Sequence, residues 1–130
     1  MAARHPLARG RLTLSRFCSA RHALVAAEGT GHERIARLMR QQGVKRVAWL
    51  QLPHFVSVPW ILRDTDLLVT VPQRLAEQVA QPLGLVVREL PLVLPAFEVN
   101  LFWHQRVHAD PGHRWLRELW AGLFGEARAR

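Results

Sequence analysis

Three short stretches of this 130-residue chain carry side chains suited to binding chemistry. "GTGHE" (29–33) sets Thr30 between two glycines and His32 directly after the second, at the start of an amphipathic run. "VPQRLA" (71–76) holds Arg74 just past an apolar segment, and "LPHF" (52–55) sets His54 and Phe55 in the same relation to another. A glycine turn that opens a helix aims free backbone amides and the positive helix end at one spot, which suits a small anion such as a carboxylate. A guanidinium grips a carboxylate bidentately, so Arg74 would supply the other half of such a site. The helix dipole disfavours the imidazolium form of His32, leaving a neutral ring that donates one hydrogen bond. His54 and Phe55 would add a polar edge and an aromatic wall. Each residue also has a plainer role open to it: His32 structural or facing solvent, Arg74 bridged to Glu77 or Glu33, His54 and Phe55 packed under the helix that follows.

Other chemistries find less support. "EGTGHE" has G-x-G but neither the third glycine of a dinucleotide fingerprint nor the G-K-[ST] of a P-loop. His104, His108 and His113 invite zinc, yet no cysteine stands nearby and no H-E-x-x-H occurs, so no metal is expected. There is no G-x-S-x-G elbow, and the three serines have no recognisable setting. Neither enzymatic activity nor a cofactor is expected.

The elements that must position these side chains follow from periodicity. "HALVAA" (22–27) has strand length, and Thr30 with Glu33 makes a capping-box spacing ahead of a helix over 31–42. Ile35, Leu38 and Met39 share one face of that helix, and Gly43 is its stop. Residues 46–52 read as a strand, 56–64 as a helix with Pro59 in its first turn, 66–72 as a buried strand, 73–80 as a helix and 83–90 as a further strand. This β-α-β-α-β-α-β order predicts a parallel sheet with helices on both faces. Such sheets bind ligands at the carboxyl ends of their strands, where His32, Arg74 and the His54–Phe55 pair all fall. "PLVLPAF" (91–97) reads as a crossover, 97–103 as a returning strand. A last helix starts at Asp110 and Pro111, with Trp115, Leu116, Leu119, Trp120, Leu123 and Phe124 on one stripe too apolar to face water.

Composition bounds the rest. The length suits one domain, and apolar residues at 49% with charged residues at 22% exclude a disordered chain. The net charge of +8 comes from seventeen arginines and Lys45 against ten acids. That balance draws polyanions, so a basic nucleic-acid-associated protein without a ligand switch stays open as an alternative. Cys18 is the single cysteine, which excludes an internal disulfide and fits a reducing compartment. The N-terminus lacks the apolar core of a secretory signal, and no run reaches membrane-spanning length, so a cytoplasmic protein with no membrane partner is expected.

"RHPLARGRLTLSRFCS" (4–19), "GTGH" (29–32), "VPWILRDTDLLVTVPQRLA" (58–76), "PLGL" (82–85) and "VNLFWHQRVHADPGHRWLREL" (99–119) together resemble one family. It is the C-terminal effector-binding (substrate-binding) domain of LysR-type transcriptional regulators, in the branch answering to aromatic compounds. The resemblance covers residues 4 to 125. It implies an α/β fold of periplasmic-binding-protein type 2-like architecture, with residues 8–95 a complete subdomain II. Residues 97–125 would give the returning strand and helix of subdomain I, which is only partial. It further implies a small aromatic carboxylate effector, such as salicylate or benzoate, with His32 and Arg74 matching the family's effector-response residues; His54, Phe55 and Thr30, read from their positions, complete the candidate site. Family members read DNA through a winged helix-turn-helix that these 130 residues do not contain, so the resemblance implies a truncated chain that reaches DNA only through an element outside it. Self-association through the apolar stripe of the last helix is the expected oligomeric behaviour.

Overall fold

A computed structural model describes residues 1–25, 31–95 and 99–125, with only the backbone of residues 31 and 32. The chain divides into two compact units, Met1–Pro95 and Ala96–Arg130.

In the first unit an irregular N-terminal segment leads into α1 (Leu14–Ser19), β1 (Arg21–Val25), α2 (Gly31–Gln41), β2 (Val47–Leu52), α3 (Val58–Asp64), β3 (Leu68–Val69) and α4 (Gln73–Ala80). β1 lies in the middle of a parallel sheet ordered β2-β1-β3. The β1-to-β2 connection through α2 and the β2-to-β3 connection through α3 cross the sheet in opposite senses. Right-handed crossovers therefore set α2 and α3 on opposite faces. The core divides accordingly. Met39 of α2 packs with Phe17, Val44 and Leu68, while Val58 and Leu62 of α3 pack with Ala23 and Leu67. Consecutive residues Leu67 and Leu68 point into different clusters, as pleating requires.

Local signals explain the helix bounds. Thr13 caps α1, its hydroxyl accepting from Arg16 N–H at 3.3 Å. Pro59 sits in the first turn of α3, where its missing amide costs nothing. Gly43, at φ 74°, ends α2. Val44 N–H reaches back to Met39 carbonyl at 2.9 Å and Gly43 N–H to Arg40 carbonyl at 3.0 Å, the paired bonds of a left-handed helix stop.

The structure corrects several expectations. The helix α1 was not among the predicted elements; its six residues are too few to show a helical period. Residues 83–90 form no strand ladder: Leu85 alone bridges Ala2, antiparallel. An extended segment becomes a strand only beside a neighbour, and 86–90 faces a cleft instead of β3. The predicted strand at 66–72 shortens to Leu68–Val69, because β1 offers it only two paired positions. Of the capping box at Thr30 and Glu33, Thr30 lies outside the described residues.

The second unit contains a 3-10 turn (Gln105–Val107) and α5 (Pro111–Phe124). Asp110 caps α5, its carboxylate accepting from His113 N–H at 2.8 Å, and Pro111 takes the first helical position as predicted. Arg117 donates to the carbonyl of His108 at 2.7 Å and lies 4.8 Å from the Trp103 ring, tying the helix to the turn. Residues 99–103 make no ladder. The stripe expected to be buried is open: Trp115 is 63% exposed and Leu123 67%. Among the described residues of this unit, one helix and one turn supply no second layer to cover it.

Candidate functional site

Because the three strands run parallel, their carboxyl ends share one edge of the sheet. The chain leaves β1 toward β2 on one side and enters β3 on the other, so the crevice between β1 and β3 is the switch point where open α/β sheets bind ligands. The first residues of α2 and α4, Gly31 and Gln73, follow the strands that flank it.

The predicted site residues distribute as follows. His32 is the second residue of α2, and its side chain lies outside the described residues, as does Thr30 altogether. Arg74 is the second residue of α4 and is exposed. Their helices start on neighbouring strands at the same edge. His54 and Phe55 follow β2; His54 is exposed, whereas Phe55 is half-buried and turns into α3, its carbonyl accepting from Val58 N–H at 3.1 Å. Nearby, Glu33 pairs with Arg37 one turn along α2 at 3.6 Å, and Glu77 accepts from the Gln73 amide at 2.7 Å. Exposed pairs of this kind contribute at most about 1 kcal/mol.

A cleft of about 430 Å³ lies within the first unit. Phe55, Thr70 and Gln73 line it, but Arg74 and His54 do not. The Thr70 hydroxyl is buried and meets no hydrogen-bond partner among the described residues. Thr70 is a site feature the sequence reading missed, although a polar residue inside the aliphatic run "DLLVTVP" was its signal.

His22 in β1 was missed as well. It is wholly buried, 4.7 Å from the Phe17 ring edge-on. A carbonyl oxygen only accepts, so His22 Nε2 carries the hydrogen and donates to Phe17 at 2.8 Å. Desolvation pushes the imidazole pKa down, aided by the nearby Arg46 charge and opposed by that hydrogen bond. The result is a neutral structural ring under the sheet. A lone histidine in a strand carries no spacing pattern that would single it out.

Of His104, His108 and His113, the first two use their rings within the second unit. His104 Nδ1 accepts from Arg106 N–H at 3.1 Å, capping the 3-10 turn, and His108 Nδ1 accepts from the Trp103 indole at 3.1 Å. Among the described residues no group of three potential metal ligands occurs, and no helix is long and apolar enough to cross a membrane.

Comparison with known proteins places this architecture. The model of the LysR substrate binding domain matches residues 1–124. The HTH-type transcriptional activator NahR of Pseudomonas putida is 47% identical over 120 residues, covering 92% of this chain and 40% of that protein. The HTH-type transcriptional activator NagR of a Ralstonia species is 42% identical over 123 residues, covering 95% and 41%. The chain thus spans about two fifths of the length of these relatives. A crystal structure of a putative transcriptional regulator from Vibrio parahaemolyticus superposes with a TM-score of 0.78 at 28% identity, over 92% of this chain and 56% of that one. The central parallel sheet, the helices on both its faces and the family match together assign the chain to the LysR substrate-binding domain family, with a periplasmic-binding-protein type 2-like fold.

Proposed function

We propose that the chain is the effector-binding portion of a LysR-type transcriptional regulator and takes a small aromatic carboxylate, of the salicylate or benzoate kind. The observation that carries this reading is the placement of the α2 and α4 starts on the two strands that flank the switch point. In the proposed site the amides at the head of α2 and the Arg74 guanidinium take the carboxylate, His32 and Thr30 offer polar contacts, and His54 with Phe55 forms the polar edge and ring wall. Residues 8–95 act as one subdomain, and 97–125 contribute the returning part of the other. Effector binding shifts a two-state arrangement that a DNA-binding helix-turn-helix, outside these residues, reports. The partners are therefore the effector, DNA through that element, and further copies of the regulator. No step in this scheme is catalytic.

Titration with salicylate and benzoate, followed through Trp49 and Trp60 fluorescence, tests the reading. It is best repeated in a chimera in which these residues replace the matching segment of NahR. Arg74→Gln removes charge-assisted bonds worth about 1.5–3 kcal/mol, so affinity should fall at least roughly tenfold. An unaltered affinity in that variant, or no saturable response in the chimera, overturns the proposal.

A second reading rests on exposed Arg34, Arg37, Arg40 and Lys45 on and after α2: a charge-driven contact with nucleic acid. Its affinity would fall steeply with salt, and a salt-independent constant removes it.

A further inference from the structure

The charge of the chain is divided unevenly. Residues 1–63 hold eleven cations against two acids, Glu28 and Glu33, whereas residues 64–130 hold seven cations against eight acids. The whole positive surplus therefore sits in the first half, and asymmetry of this kind marks a surface for polyanions. Between Glu33 and Asp64 six cations follow one another with no acid among them.

The fold gathers part of this charge on one face. Phe17 of α1 and Met39 of α2 share a core cluster, so both helices cover the same side of the sheet. Arg16 on α1, Arg34, Arg37 and Arg40 on α2, and Lys45 just after it are exposed, while Arg46 is half-buried. Among the described residues the ion pairs are Arg21–Asp66, Arg37–Glu33 and Arg63–Asp64, so of this group only Arg37 meets a carboxylate. Burial and the neighbouring Arg40 charge hold the Arg46 pKa below its usual value. Two guanidiniums near each other without an acid repel, a cost that a bound phosphate removes.

Spacing and composition favour a duplex as the source of that phosphate. Arg34, Arg37 and Arg40 recur every third residue, so their row extends about 9 Å along α2. Phosphates of one strand advance roughly 3.4 Å each along a duplex axis, so the row spans two or three of them. A guanidinium grips a phosphate bidentately. Proteins that hold single strands stack the bases on aromatic side chains. In residues 1–46 Phe17 is the one Phe, Trp or Tyr, and it is buried.

We propose that the outward face of α1 and α2, carrying Arg34, Arg37 and Arg40, binds the phosphate backbone of double-stranded DNA without reading its sequence. The inference rests on the nucleic-acid reading above and adds to it the partner, the face and the mode of contact. It stands beside the effector site, because neither Arg74 nor His54 belongs to this face.

The test measures binding of the 130-residue chain to a mixed-sequence duplex of about 20 base pairs and to a single strand of equal length, by fluorescence anisotropy from roughly 50 to 200 mM NaCl. Co-sedimentation with phosphatidylserine vesicles is measured beside it. About four phosphate contacts give a slope near −4 in log K against log salt. Arg34→Gln/Arg37→Gln/Arg40→Gln keeps good helix formers at exposed positions, so the circular dichroism should not change. In that variant the slope should become shallower by roughly 2.7 and the affinity at the lowest salt should fall at least about tenfold. Arg63→Gln/Arg106→Gln/Arg114→Gln removes the same charge elsewhere and should weaken binding less than about threefold. Equal losses in the two triple variants, or tighter binding to the single strand or the vesicles than to the duplex, overturn the proposal and leave a charge-driven contact standing. A binding constant that ignores salt removes the nucleic-acid reading itself.

Discussion

Acidification should destabilise the first unit through His22. The ring is neutral in the fold because it is fully buried and its Nε2–H is committed to the Phe17 carbonyl. Its pKa lies below the ordinary 6.5 that it regains on unfolding. Below 6.5, therefore, the unfolded chain binds the proton more readily than the folded one, and stability falls as pH drops from there toward the folded-state pKa. The slope is at most about 1.4 kcal/mol per pH unit, so one unit below 6.5 the loss attributable to His22 is no more than about 1.4 kcal/mol. The measurement is a difference between two proteins, so contributions common to both cancel. Urea unfolding is followed between pH 7.5 and 5 for the native chain and for His22→Gln, which keeps an amide donor but cannot titrate. The variant is expected to be less stable at neutral pH and to show a shallower acid slope. Parallel slopes in the two proteins would refute the assignment of a depressed His22 pKa.

Met39→Ala empties the centre of the α2-side core and should cost about 2–5 kcal/mol in denaturant unfolding, since Met39 is fully buried. Gly43→Ala meets no atom within 4 Å but forces a side chain onto φ 74°, for an expected loss of about 1 kcal/mol in the same assay. Trp120→Glu places a charge in the open apolar stripe of α5; sedimentation velocity should show less self-association than the native chain, with the helical circular dichroism retained.

What the sequence made legible was whatever is decided locally. The α2 face through Met39, its stop at Gly43, Pro59 at the start of α3 and the Asp110 cap each depend on a few neighbouring residues, and each stands where the pattern set it. Strand pairing is decided at a distance. "LGLVVREL" has strand composition, but whether it joins a ladder depends on what lies beside it, and no period within the segment carries that information. The candidate site divides in the same way. Strand ends and helix starts locate Arg74 and Phe55 correctly on the sheet's edge, whereas the side of the cleft each one faces follows from packing, which admits Phe55 and leaves Arg74 outside. His22 escaped because a lone histidine in a strand has no partner in the sequence, and Thr70 because its place in an apolar run marks a polar position without saying what it faces.

Arg88 reaches across the first unit to donate to the carbonyls of Ala8 and Gly10, and His5 meets the carbonyl of Asp66. These bonds join residues 61 to 80 positions apart, and with the Met1–Val86 contact they fasten the first ten residues. Their consequence concerns biosynthesis. During translation residues 1–10 meet the first of these partners at Asp66 and the rest only at residues 84–88, after α1, β1 and α2 have emerged. These contacts therefore close late, and nascent chains stopped short of Asp66 should be sensitive to protease over residues 1–12.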